Sequence, residues 1–160
     1  MIRVSIDTAP IDIASELAGI EETGAGAVAS FTGIVRADDG VIGLELEHYP
    51  GMTEAVLCDL AEQAMTRWAL VSAVIVHRVG PMEPGERVVL VATAAAHRRE
   101  ALDACAFLID RLKIEAPFWK REMRGEAASW GGTRARCCAL PSPARTRGGP
   151  PTGTAWRWTC

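Results

Sequence analysis

The chain has 160 residues, a length typical of one domain with a hydrophobic core, and a formal net charge of −3. Hydrophobic residues make up 49% and charged residues 23%, which are the proportions of an ordinary globular protein. No stretch reaches the roughly 18 consecutive apolar residues that a membrane-spanning helix needs, and the first residues lack the apolar core of a signal peptide. We therefore expect a cytoplasmic protein without a membrane anchor.

The charge is unevenly distributed along the chain. Residues 1–130 carry 12 Lys and Arg against 20 Asp and Glu, whereas residues 131–160 carry five arginines and no acid. The second part also holds three of the five cysteines and a Pro/Gly-rich run. We predict a domain over 1–130 and an atypical, disordered tail over 131–160, which fits an altered or out-of-frame terminus.

The predicted elements begin with a strand over residues 3–7 and a helix that starts near Pro10. The apolar stripe of that helix is formed by Ile11, Ile13, Ala14, Leu17 and Ala18. A β-rich run over 27–35 and a polar loop over 36–40 follow. Residues 43–49 alternate in polarity, which predicts a strand with two leucines and His48 on one face and two glutamates on the other.

The rest of the domain predicts two long helices separated by a β-hairpin. Residues 57–68 and 98–115 show the spacing of helices with one core-facing stripe. The second stripe consists of Ala101, Leu102, Cys105, Leu108, Ile109 and Leu112. The apolar runs 71–79 and 87–94 predict an antiparallel hairpin with a long loop. Because this hairpin interrupts the alternation of strands and helices, we predict an α+β fold with a mainly antiparallel sheet.

The chemically most informative segment is 113–122, where two lysines, an arginine and a tryptophan surround a proline. Pro117 disfavours helical geometry at the preceding residue, so the helix that carries Lys113 must end there. Lys120 then lies beyond the break, on an extended or looped segment. Two ammonium groups from different elements can converge on one pocket for an anionic substrate. The alternative is a solvated basic helix end, where lysine complements the helix dipole.

Further cationic candidates lie at element junctions. His97 and Arg98 stand where a strand gives way to a helix, and free backbone N–H groups at such a point attract anions. Arg36 directly follows a β-rich run. On the residues alone, an ordinary exposed side chain is the favoured interpretation for each of these.

Several other kinds of site are not indicated. The sequence has no Cys-x₂-Cys or His-x₃-His spacing, so we predict no metal site. Gly24-x-Gly26 precedes a strand, whereas the dinucleotide-binding motif must follow one. Cys58 and Cys105 fall at or beside core stripes, which favours packing over a nucleophilic role.

Four blocks of the sequence resemble the catalytic large subunit of molybdopterin synthase. They are Phe31-Thr-Gly-Ile-Val-Arg36, Leu46-Glu-His-Tyr-Pro-Gly-Met52, His97-Arg98 and the segment 113–122. A weaker fifth block is His77-Arg-Val-Gly80 with Pro84-Gly-Glu86. The blocks occur in family order and with family-like spacing. The resemblance implies an α/β hammerhead-like domain with an added β subdomain.

The resemblance also implies a function. Members of this family are sulfurtransferases that convert cyclic pyranopterin monophosphate to molybdopterin. A small ubiquitin-like subunit brings the sulfur as a C-terminal Gly-Gly thiocarboxylate, so neither a catalytic cysteine nor a cofactor is expected. The resemblance implies a homodimer of large subunits within a heterotetramer, with no nucleic-acid or membrane partner.

Individual roles carry over to matching positions. Lys113 and Lys120 match the catalytic lysines, with Lys113 expected at the partner's C-terminal carbonyl and Lys120 at the pterin. The substrate-contacting positions correspond to Ile34, Val35, Arg36, His97, Arg98, Arg121 and Glu122. Arg36 and Arg98 are the natural phosphate ligands, and the His-Arg pair can serve the pocket of a neighbouring subunit.

Two functions of other classes stay open. A non-catalytic scaffold that binds a ubiquitin-like sulfur carrier would share the fold, although it would need neither lysine. A nucleic-acid binder could use the arginines of the tail, but these lack interleaved lysines and a folded aromatic platform.

Overall fold

The computed structural model describes residues 1–124 and 127–129, so the predicted tail over 131–160 lies outside the described residues. The strands are β1 (Ile2–Asp7), β2 (Ala27–Ile34), β3 (Val41–His48), β4 (Ser72–Arg78), β5 (Gly80–Met82), β6 (Arg87–Ala95), β7 (Phe118–Arg124) and β8 (Ala127–Ser129). The helices are α1 (Ile13–Glu21), α2 (Met52–Trp68) and α3 (Arg98–Glu115), with a 3₁₀ turn at Asp38–Gly40. None of these helices is both long and apolar enough to cross a membrane.

The strands form two four-stranded sheets. The first sheet has the order β1-β4-β6-β2, in which β1 and β4 are parallel and the other neighbours antiparallel. The second sheet has the order β5-β3-β7-β8 and is antiparallel throughout. The mainly antiparallel α+β class predicted from the sequence is therefore confirmed, and the second sheet corresponds to the added β subdomain.

The helices cover both faces of the first sheet. α2 and α3 pack together on one face, where the larger core includes Leu57, Leu60, Leu108 and Leu112. α1 covers the other face over β4 and β6, where Ile11 and Ile20 join a smaller apolar cluster. The core therefore consists of two apolar layers separated by one sheet, the expected arrangement when a sheet is buried on both sides.

The predicted hairpin is confirmed, with an addition. β4 and β6 pair antiparallel from Ser72↔Ala94 to His77↔Val89. The connection between them was predicted as a loop, but it contains β5, which pairs with β3 of the second sheet. A three-residue strand with proline at its centre carries no alternating pattern, so only its pairing partner reveals it.

Two details of the predicted helices are wrong. α1 begins at Ile13 rather than at Pro10, because the side chain of Asp12 accepts a hydrogen bond from the Ser15 N–H and caps the helix there. Leu102, predicted to face the core, is 60% exposed, and Ala104 is buried instead. The sheet and α2 cover only one side of α3, and Leu102 lies beyond the covered arc.

Candidate functional site

The direction of α3 relative to the sheet determines which candidate residues can meet. The hydroxyl of Thr93 donates to the carbonyl of Ala101 at 2.7 Å, and the thiol of Cys105 donates to the carbonyl of Val91 at 3.8 Å. As the helix advances by four residues, the strand beneath it runs back by two. α3 is therefore antiparallel to β6, and Lys113 in its last turn lies towards the Arg87 end of that strand.

β2 runs in the same direction as α3, since it is also antiparallel to β6. Its pairing extends from Ala27↔Ala95 to Ile34↔Arg87. Ile34 and the residues that follow it, Val35 and Arg36, therefore lie at the same end as Lys113 of the layer that α3 forms on the first sheet. His97 and Arg98 lie at the opposite end, roughly 22 Å away along the axis of α3. Within one chain, the predicted phosphate ligands Arg36 and Arg98 are not brought together.

The break at Pro117 leads directly into a strand. α3 ends at Glu115, and Ala116 has an extended backbone with φ −70° and ψ 125°. Phe118 begins β7 and is buried, which anchors the new direction. Lys113 and Lys120 are the only two lysines of the chain, and they lie on α3 and β7 respectively. The prediction that they belong to different elements is confirmed.

Lys120 is held by a buried carboxylate. Its Nζ lies 2.6 Å from Oε1 of Glu122, which is 6% exposed, and the other oxygen of Glu122 accepts from Nη2 of Arg124 at 2.9 Å. The strand alternation that places these three side chains on one face places Arg121 on the other, where it pairs with Glu45 of β3. The carboxylate of Glu122 therefore orients the ammonium group of Lys120.

The side chain of Arg36 is exposed and has an ion-pair contact with a neighbouring carboxylate. Its guanidinium lies 3.2 Å from the carboxylate of Asp38, and its side chain is 82% exposed. The preceding residues differ, since Ile34 is exposed whereas Val35 is buried in the larger core. An exposed arginine beside an exposed carboxylate is available to an anionic ligand.

The opposite end of the layer forms a concave surface around the start of α3. It encloses about 480 Å³ and is lined by Gly26, Ala27, Ala96, His97, Arg98, Arg99 and Glu100. His97 is extended and precedes the first turn, whose N–H groups point into this space. Gly26 is required here, because a Cβ atom at this position would lie 2.3 Å from the carbonyl oxygen of Ala96. The glycine that superficially matched a nucleotide motif thus has a packing role.

The described cysteines fit structural roles. Cys105 lies on the buried, sheet-facing side of α3, and burial raises the pKa of its thiol to about 11, so it is not a thiolate at neutral pH. Cys58 lies half-buried on α2. Among residues 1–124 and 127–129, no three His, Cys, Asp or Glu side chains are grouped so that they could hold a metal ion.

Two interactions next to the candidate residues were not predicted. His77 stacks on Phe118, and Arg78 forms an ion pair with Glu86 at 2.8 Å. Both histidine and arginine belong to the fifth and weakest block of the sequence resemblance. That block was the only available signal, because neither residue has its partner at a helical or strand spacing.

Comparison with known proteins gives consistent matches. A sequence profile of the family described as "MoaE protein" matches residues 6–115. A protein of Caulobacter vibrioides named molybdopterin synthase catalytic subunit is 56% identical over 114 residues, which cover 71% of this chain and 75% of that protein.

Solved structures match over a similar length. The crystal structure of molybdopterin synthase from Staphylococcus aureus has a TM-score of 0.73 and 34% identity, covering 80% of this chain and 96% of that one. A complex of subunits 1 and 2 of molybdopterin-converting factor from Helicobacter pylori has a TM-score of 0.70 at 22% identity, covering 83% and 91%, and shares the fold.

Proposed function

The chain belongs to the MoaE protein family, and we propose that it is the catalytic subunit of a molybdopterin synthase that acts in the cytoplasm. Its substrate is cyclic pyranopterin monophosphate, and a small ubiquitin-like subunit supplies two sulfurs in turn from a C-terminal thiocarboxylate. The product carries the dithiolene of molybdopterin. One observation carries this proposal beyond the family match. The only two lysines of the chain flank the α3–β7 break, at the end of the layer that also holds Arg36.

The charges at this end suit the two substrates. The pterin phosphate and the thiocarboxylate are both anionic. The loop after β2, the helix α3 and the strand β7 supply cations through Arg36, Lys113 and Lys120, in a domain that is acidic as a whole. The buried thiol of Cys105 agrees with a mechanism in which the sulfur arrives on the partner. No step requires a cysteine of this chain.

The two lysines have different surroundings and therefore different proposed roles. Lys113 is half-buried at a helix end, and we assign it to the carbonyl of the partner's C-terminus, where its ammonium group polarises the acyl carbon. Lys120 is oriented by Glu122, and we assign it to the pterin, where it polarises or protonates the group that is displaced. Glu122 completes this side of the pocket, whereas Arg121 lies on the opposite face of β7, where it pairs with Glu45.

The position of His97 and Arg98 supports a pocket shared between two copies of the chain. Because they lie roughly 22 Å from Lys113 along α3, they serve the pocket of a neighbouring subunit rather than their own. The proposed assembly is a dimer of this chain flanked by two small subunits. The Helicobacter pylori protein of the same fold is a complex of two subunits, which supports such a partner.

A turnover assay tests the proposal. The full-length chain is mixed with the pterin precursor and with small subunit carrying either a C-terminal thiocarboxylate or an ordinary carboxylate, and dithiolene product is measured. Product with the thiocarboxylate alone is expected. A stable complex that forms no product would instead establish the scaffold alternative.

A further inference from the structure

Arg78, the last residue of β4, connects three parts of the chain. Its Nη1 donates to Oε1 of Glu86 at 2.8 Å, and its Nε donates to the carbonyl of Thr8 at 3.0 Å. The side chain is 11% exposed, so the guanidinium is held within the fold rather than in solvent. A partly buried guanidinium that donates to two different acceptors forms a stronger and more geometrically specific ion pair than an exposed one.

Glu86 uses its second oxygen to close a turn. Oε2 accepts from the N–H of Glu83 at 2.7 Å, and the N–H of Glu86 donates back to the carbonyl of Glu83 at 3.1 Å. Gly85, with φ +92°, provides the left-handed backbone that this turn needs. The hydrogen bond from Arg78, followed by that from Glu83, holds the pKa of Glu86 below its usual range, so the carboxylate is charged at neutral pH.

The closed turn holds Val35 by its backbone. The N–H of Val35 donates to the carbonyl of Glu86 at 2.9 Å, and the N–H of Gly85 donates to the carbonyl of Val35 at 2.8 Å. The regular ladder between β2 and β6 is interrupted just before this point, by a register shift between Gly33 and Ile34. The turn thus takes over from the strand ladder where the chain approaches Arg36.

We propose that Arg78 and Glu86 are positioning residues for substrate binding. They fix the turn over 83–86, the turn fixes the backbone of Val35, and the backbone of Val35 aims Arg36 at the phosphate of the substrate. This inference rests on the proposed function for the role of Arg36. It assigns a task to the fifth block of the sequence resemblance, which has no role in the proposed mechanism.

The test compares Glu86→Gln with a matched control, Glu16→Gln. Glu16 forms an equivalent pair with Arg3, also at 2.8 Å, but joins α1 to β1 and touches neither the turn nor Val35. In full-length protein without substrate, hydrogen exchange is measured at the amides of Val35 and Gly85. Faster exchange at both amides is expected in Glu86→Gln and wild-type exchange in Glu16→Gln.

The second arm measures affinity for the pterin precursor by titration. Glu86→Gln is expected to raise the Kd by roughly three- to tenfold, because a misaimed arginine loses part of its phosphate contact. In an Arg36→Ala background, Glu86→Gln should change the Kd no further, since the arginine side chain that Glu86 helps to position is absent. Arg78→Lys, which keeps the charge but not the fork of donors, should give an intermediate loss.

The outcomes separate this inference from the proposed function. Wild-type exchange at Val35 and Gly85 in Glu86→Gln, or equal losses of affinity with and without Arg36, would overturn the positioning role. If the wild-type protein binds no pterin precursor, the proposed function is overturned. The exchange experiment then still decides whether the pair fixes the turn.

Discussion

The imidazole of His77 stacks on the ring of Phe118, with centroids 4.0 Å apart and planes inclined by 20°. His77 belongs to β4 of the first sheet, and Phe118 is the first residue of β7 in the second sheet. The stack therefore joins the two sheets at the point where the chain leaves α3 and turns towards Lys120. Burial lowers the pKa of His77 to about 4, so the stacked ring is neutral at physiological pH.

The buried histidine predicts how stability depends on pH. The pKa of His77 is 6.5 in the unfolded chain and about 4 in the fold, so between these values the unfolded state binds a proton that the native state does not. The free energy of unfolding should fall as the pH drops from about 6.5 to about 4, by up to about 3 kcal/mol. Above pH 6.5, His77 adds no pH dependence to the free energy of unfolding.

Denaturant unfolding at pH 7, 6, 5 and 4 measures this dependence. His77→Phe keeps an aromatic ring against Phe118 but cannot be protonated, so its stability should fall less steeply over the same range. The exposed His97 provides the control, and His97→Gln should follow the wild-type curve. Identical slopes for wild type and His77→Phe would show that this histidine does not govern the response.

Replacing Lys120 with Ala should abolish dithiolene formation, with a loss of about 100-fold or more if it transfers a proton. Glu122 keeps Arg124 as a partner, so the fold and the binding of the small subunit should persist. Arg124→Ala is the matched control, since it removes a different cation from the same carboxylate and should retain most turnover. Near wild-type turnover by the Lys120 variant would remove that residue from the mechanism.

Mixed dimers test whether each pocket is shared between two chains. Arg98→Ala and Lys113→Ala homodimers should each be impaired in both pockets. Co-expression produces heterodimers in which one pocket has both residues, so activity at limiting pterin should recover to about a quarter of the wild-type value. If one chain built the whole pocket, co-expression would give no more activity than the two variants measured separately.

The double variant Cys58→Ala, Cys105→Ala should still transfer sulfur. Cys105 is buried, with the pKa of its thiol raised to about 11. Cys58 lies on α2, whereas the two lysines lie on α3 and β7. The cost should be a stability loss of about 1 kcal/mol from the small cavity at Cys105. Product formation with excess thiocarboxylate measures the effect. A well-folded double variant that no longer forms dithiolene would contradict a partner-borne sulfur.

Truncation after Trp130 tests the predicted domain boundary. Residues 131–160 show no helical or alternating apolar pattern and contain Pro141, Pro143, Pro150 and Pro151. A chain ending at Trp130 should therefore unfold at nearly the same temperature as the full chain. A drop of many degrees in Tm would show that the tail is an integrated element.

The sequence by itself determined the features that depend on local sterics and periodicity. Pro117 forces the end of α3, and the apolar spacing of residues 98–115 predicts that helix with its observed bounds. The hairpin of β4 and β6 follows from two adjacent apolar runs. In each case, the residues that specify the element lie within it or next to it in the chain.

Only the tertiary structure decided which candidate residues lie together. The pairing of β2 with β6 joins segments more than 50 residues apart, and it places Arg36 with Lys113 and away from Arg98. The contacts of Arg78 with Glu86 and of His77 with Phe118 likewise depend on how strands and sheets are arranged. No local pattern encodes them, because long-range register is set by the packing of the whole core.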